Sequence, residues 1–236
     1  MKRNQSGFTL IEIAIVLVII GLLLGGVLKG QELINSAKVK NLATDFRNIP
    51  VFIYGYQDKF KALPGDDANI ATHLSGGVAP VPCTAPLANV CAIGNGIIDG
   101  AWNATTAAAE SYVFWQHVRL AGLAAGSTTT GALDYLPVNA AGGNIGIQSG
   151  TNVVARAPIV DLAAPAAAIH GTYIICSPNI LGKFARQLDI QLDDGNTATG
   201  SMMATPTVGY NIGNAAVSNT NVAWDDAAVY TVCMGV

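Results

Sequence analysis

The chain has 236 residues, enough for one membrane anchor and one sizeable domain. Only 11% are charged, well under the roughly 25% usual in soluble domains, and the formal net charge is −3. From Asp66 onward four Lys/Arg face eleven Asp/Glu, a balance of −7, which excludes nucleic-acid binding by bulk electrostatics because that needs a basic patch.

The N-terminus is the most informative part. A short leader, Met1-Lys2-Arg3-Asn4-Gln5-Ser6-Gly7, runs directly into an apolar stretch. Residues 8–28 are 21 in number, long enough to cross a bilayer. A secretory signal peptide has an apolar core of about 7–15 residues and then a small-x-small cleavage site. Here 16 uncharged residues run from Ile13 to Leu28, no such site follows, and Lys29-Gly30-Gln31-Glu32-Leu33 continues as helix. A plain anchor has no need of Glu12. An acid costs about 2.5–3.5 kcal/mol at the bilayer centre and less near an end, so Glu12 is a functional candidate. Lys2 and Arg3 keep the N-terminus in the cytoplasm and put everything after Leu28 outside the inner membrane.

The run Ser6-Gly7-Phe8-Thr9-Leu10-Ile11-Glu12 behind a basic leader resembles the type IV prepilin signature, shared by pilins and pseudopilins. In that family a dedicated membrane peptidase cuts after the Gly and methylates the new N-terminal Phe. The resemblance implies removal of residues 1–7, a cut between Gly7 and Phe8, and a mature charge of −5 once Lys2 and Arg3 are gone. It also implies that Glu12 meets the Phe8 amine of a neighbouring subunit in a filament. The plainer alternative is self-neutralisation: Phe8 and Glu12 are four residues apart, one helical turn.

Beyond the membrane the same helix is predicted to continue over 29–63. Leu42, Phe46, Ile49, Ile53, Tyr56, Phe60 and Leu63 recur in steps of four and three, a single helical stripe. Pro50 is a predicted kink, and Leu63-Pro64-Gly65-Asp66-Asp67 a stop. Residues 75–100, rich in Gly, Pro and Ala, read as a surface loop. A second helix is predicted over 105–121, closed by Gly122. Residues 125–152 read as loops or short edge strands. Strands are predicted over 153–160, 172–176, 201–204 and 227–233. Ser177-Pro178 reads as an N-cap and first residue of a further helix carrying Leu181, Phe184, Leu188 and Leu192 and ending at Gly195.

Cys83, Cys91, Cys176 and Cys233 all fall on the external side, where an even count argues for disulfides, and three pairings are open. Sequence proximity favours Cys83–Cys91, which leaves Cys176–Cys233. No Cys-x-x-Cys pair or nearby His points to zinc. Asp193-Asp194-Gly195-Asn196-Thr197 offers hard oxygen ligands, so Asp193, Asp194 and Asn196 are candidate calcium ligands, against the plainer alternative of a turn capping the preceding helix. No other cofactor is expected. His73, His117 and His170 are scattered, His117 within an aromatic cluster that suggests packing, and no nucleophile, zinc or phosphate-loop motif is present, so no enzyme is expected.

The resemblance implies an α+β, pilin-like fold: a long N-terminal membrane-spanning helix laid on a C-terminal antiparallel sheet domain with extra short helices. The expected divisions are leader 1–7, membrane and filament-core helix 8–28, external half-helix 29–63 and head domain 64–236. The expected function is a structural subunit, a minor one given its length, of a type IV pilus-like filament. A pseudopilin of type II secretion shares every residue named above, and an anchored periplasmic binding protein or enzyme is a more remote alternative. The implied partners are other pilin subunits, the prepilin peptidase, the inner-membrane assembly platform and the lipid bilayer.

Overall fold

The computed structural model describes residues 10–79, 92–162 and 165–236. It comprises two units, Met1–Lys40 and Asn41–Val236. The described part of the first is residues 10–40 of helix α1 (Leu10–Phe60), whose remaining residues belong to the second. Among the described residues α1 alone is long and apolar enough to cross a membrane, and its most apolar window buries nothing within the chain. Large apolar side chains from Leu10 to Ile34 are exposed.

In the second unit α1 turns one face inward. Leu42, Phe46, Ile49, Ile53 and Tyr56 are all buried, as their four-and-three spacing requires. Burying each such side chain contributes about 1.5–3 kcal/mol, so this face is the main apolar content that α1 brings to the domain. The helix stays continuous through Pro50. Pro50 gives no amide to the turn before it, but packing of Phe46, Ile49 and Ile53 on either side holds the helical path. The helix stops at Phe60 rather than at residue 63. Lys61 takes a left-handed φ of 54° and its amide closes on the Gln57 carbonyl at 2.9 Å, a left-handed cap made without glycine.

The sheet has four antiparallel strands in the order β1-β3-β6-β4: β1 (Gly146–Ser149), β3 (Tyr173–Leu181), β6 (Val229–Gly235) and β4 (Met202–Pro206). Two residues each from β2 (Ile159–Val160) and β5 (Asn214–Ala215) form a small parallel ladder. Short helices α2 (Ile70–His73), α3 (Glu110–Leu120) and α4 (Gly182–Leu192) complete an α+β unit. At the end of α3, Gly122 bonds the Arg119 carbonyl and Leu123 that of Val118, the paired closure that a left-handed glycine allows.

Four local expectations change. The predicted helix at Ser177-Pro178 is instead strand: Ser177 pairs with Val232 and Ile180 with Tyr230, so one extra residue bulges from β3. Asn179 absorbs it with a φ of 63°, and Pro178, lacking an amide, sits where the ladder is interrupted. Ser177 does not cap; its Oγ accepts from Asn139 Nδ2 at 2.7 Å. Helix α4 begins only at Gly182, where a Cβ would lie 2.4 Å from the Asp225 carbonyl oxygen. It ends at Leu192, ahead of Gly195. The strand predicted over 153–160 shrinks to a single 3-10 turn (Val154–Arg156) and β2, because Val153 and Val154 face solvent and Pro158 gives no ladder amide. The helix predicted from residue 105 begins at Glu110, after a series of turns.

Cys176 and Cys233 face each other in register across the central β3–β6 pair and are joined by a disulfide. Cys83 and Cys91 lie outside the described residues. The Cys176–Cys233 bridge closes a separation of 57 residues, for which chain entropy gives a stabilisation of about 4 kcal/mol. The Cys176→Ala/Cys233→Ala double variant should therefore melt several degrees below wild type in calorimetry, and reductant should lower wild type by more than the variant; equal melting temperatures would contradict this.

Candidate functional site

Candidate functional residues fall in three places. The first is the tip of α1. Glu12 occupies its first turn, next to the exposed apolar Leu10 and Ile11, while Gly7 and Phe8 lie outside the described residues. An acid in a first helical turn is also favoured by the positive end of the helix dipole.

The second place is where α1 ends against α3, and its polar chemistry is structural. Asp67 is fully buried. Its Oδ2 accepts the Tyr56 hydroxyl at 2.7 Å and lies 2.7 Å from His73 Nδ1, and its Oδ1 accepts the Asn69 amide at 2.9 Å. Burial acts to raise this carboxyl, but the bonds from His73, Tyr56 and Asn69 and the charge of His73 outweigh it and hold it below the usual range. His117, also buried, accepts the Gly65 amide on Nδ1 at 2.9 Å, so Nε2 carries the proton and donates to the Val78 carbonyl at 2.9 Å. Burial lowers its pKa, so the ring is a neutral brace, in keeping with its aromatic surroundings.

Next to this hub, two buried carboxyls share one charge. Asp66 accepts the amides of Gly94, Asn95 and Gly96. Glu110, only 3% exposed, accepts one amide, that of Asp99 at 2.8 Å. Burial pushes Glu110 up to about 8, with the charges of Asp66 and Asp99 and a hydrogen bond with Asp66 adding to the rise. Asp66, held by three amides, keeps the charge and Glu110 the proton. Gly65 is required here: its φ is 95° and a Cβ would come within 2.6 Å of the Glu110 carbonyl oxygen. The pair Asp66-Asp67 is visible in the sequence only as part of a turn. Its role was not, because the amides that bind Asp66 come from residues 28 and 30 positions away, and Asp67 is joined by the Tyr56 hydroxyl and the His73 ring.

The third place is the end of α4. Asp193 Oδ2 accepts the Met202 amide at 2.7 Å, and Asp194 accepts the Asn196 amide at 2.8 Å and the Thr199 hydroxyl at 2.7 Å. Asn196, on the same turn, accepts the Ser218 hydroxyl on its Oδ1 at 2.8 Å. The carboxylate that joins them is Asp189, fully buried in the last turn of α4. Burial pushes Asp189 up to about 7, the amides of Gly195 and Asn196 opposing and the charges of Asp194 and Asp193 adding. A signal for it exists in the sequence: between Leu188 and Leu192 it falls on the apolar face of the helix, where an acid is out of place.

Residues 2–28 match a family model described as the prokaryotic N-terminal methylation motif. This is the type IV pilin and pseudopilin signature, so the chain carries the mark of that class at its N-terminus. No curated protein and no solved structure matches the chain.

The shared proton gives a test of the second place. A carboxyl whose folded pKa is raised binds its proton in the folded state before the unfolded chain does, so stability falls as pH rises from about 4.5 to about 8. Glu110→Gln keeps the acceptor for Asp99 and a donor for Asp66 without the titration. It should match wild type near pH 5 and exceed it above pH 8 by at least about 1 kcal/mol, some 2–4 °C for a domain of this size. Thermal melts across that range check it, and a constant difference at all pH values would contradict it.

Proposed function

We propose that this chain is a minor structural subunit of a type IV pilus-like filament. It is held in the inner membrane by α1 with its head in the periplasm, cut between Gly7 and Phe8, methylated on Phe8, and assembled through α1. The observation that carries this reading is the methylation motif running straight into a helix whose apolar window has no cover within the chain. Such a surface must be covered by lipid before assembly and by the α1 helices of other subunits after it. The signature itself supports the coarser statement, a pilin-like or pseudopilin subunit with a structural role. The preference for a pilus over a secretion pseudopilus is ours, as is the list of partners: prepilin peptidase, assembly platform and fellow subunits.

In this reading Glu12 recruits. Cleavage leaves a cationic amine on Phe8, and Glu12 of one subunit neutralises the amine of the next, which favours one axial register in an apolar filament core. Glu12→Ala makes the membrane segment more apolar, so insertion and cleavage should be normal. Its filament content should fall sharply, because one buried charge left unpaired costs about 3–5 kcal/mol. Glu12→Asp should lie between. Blots of the membrane pool and of sheared filaments, compared for the three forms, decide this. Normal incorporation of Glu12→Ala would show that apolar packing alone recruits the subunit.

A further inference from the structure

Asn95-Gly96 is the one Asn-Gly step in the 236 residues, and the fold places a polar partner on each of three atoms that can react there. Asn95 is exposed and lies in a turn. Its Oδ1 accepts the Ile97 amide at 2.7 Å, which folds the side chain back over the peptide that follows it. Its Nδ2 donates to Asp99 Oδ2 at 3.1 Å. The nitrogen of the following peptide, that of Gly96, donates to Asp66 Oδ2 at 2.7 Å. Asp66 is 2% exposed and, of the buried pair it forms with Glu110, is the member that carries the charge. Burial raises its affinity for a proton above that of a surface carboxylate. Gly96 has no side chain to shield its nitrogen, and even a Cβ there would meet nothing within 4 Å. Asp66, Gly94 and Gly96 also line an open cleft of about 520 Å³, which admits water.

From this geometry we infer that Asn95 is a self-modifying residue, converted by its own fold to aspartate and isoaspartate. The Gly96 nitrogen attacks the Asn95 side-chain carbon, and the N–Cγ bond forms as the Gly96 proton passes to Asp66 Oδ2. The negative charge that gathers on Asn95 Oδ1 is met by the Ile97 amide. The Cγ–Nδ2 bond then breaks. The proton held by Asp66 returns through the water of the cleft to the leaving nitrogen, which departs as ammonia. Asp99, already bonded to that nitrogen, stabilises it as it becomes cationic. One water then opens the cyclic imide. Attack at Cγ gives aspartate, and attack at the main-chain carbonyl carbon gives isoaspartate, so the net change is one water in and one ammonia out. The product does not fit where Asn95 did. Either form sets a carboxylate where an amide faced Asp99, and isoaspartate lengthens the main chain between Gly94 and Gly96, whose amides both bind Asp66. The modification therefore frees residues 94–99 from the end of α1 as the chain ages. The site lies in the head and does not depend on the filament reading.

The test follows the full chain, purified in detergent and incubated at neutral pH, beside the same chain held unfolded in urea. Peptide mass mapping reads the loss of the Asn95 amide, and labelling by an isoaspartyl methyltransferase reads isoaspartate. Folded wild type should lose the amide at least about tenfold faster than the unfolded chain, since a positioned base contributes about 10²–10⁴-fold. Asp66→Asn keeps an acceptor for the Gly96 amide but no base, and should remove most of that advantage. Asp99→Ala, at a half-buried position, should also slow the folded chain and covers the case in which Asp66→Asn fails to fold. In urea both variants should react at the wild-type rate, which separates a role in the folded site from an effect on the chain itself. Loss in folded wild type no faster than in urea would overturn the inference. So would a rate in the folded variants equal to that of folded wild type.

Discussion

Helix α1 has two halves that need different surroundings, and the rest of the structure follows from that. Between Asn41 and Phe60 its apolar residues form a stripe, and the head domain buries that stripe: Leu42, Phe46, Ile49, Ile53 and Tyr56 are core residues of the unit. Nearer the N-terminus apolar side chains point in all directions and the most apolar window is uncovered. A helix that is apolar all round needs cover on every side, and the most apolar window of α1 has none within the chain, which suits lipid chains or neighbouring helices. Glu12, an acid set into such a surface, is costly in every arrangement that gives it no cationic partner.

The head holds its end of α1 through carboxyls and two imidazoles rather than through surface ion pairs. Tyr56, on α1, donates to Asp67, which also takes His73 and the Asn69 amide, while His117 on α3 holds Gly65. Asp66 and Glu110 then fasten the segment around residues 94–99 to the same place. These bonds are buried, so each is worth more than an exposed pair and would be costly to leave half made. Across the domain, the Cys176–Cys233 bridge lies in the middle of the sheet, between strands that are distant in sequence.

What could be read from the sequence divides along the range of the interactions. The α1 stripe, the Gly122 closure and the β6 region were legible because period, cap and alternation are local signals. Ser177-Pro178 misled because it is a sound helix start in isolation. A strand partner, Val232 on one side of the bulge and Tyr230 on the other, overrode it. Strand β1 was not resolved from the loops around it, since its four residues gain their pattern only from pairing with β3. The same holds for the polar sites. Glu12 announces itself against an apolar background, whereas Asp66 and Glu110 acquire their roles from amides elsewhere in the chain, and Asp67 from the Tyr56 and His73 side chains. Asp189 lies between these cases, an acid on the apolar face of a helix, with Asp193 and Asp194 following four and five residues on.

The central claim is that the apolar half of α1 passes from lipid into a filament after the leader is removed. Intact-mass analysis of the chain recovered from sheared surface filaments tests it most directly. The account predicts a species that begins at Phe8, carries one added methyl group, and is present in the filament fraction as well as in the membrane. A chain that keeps Met1, or one confined to the membrane while filaments form without it, would contradict the account.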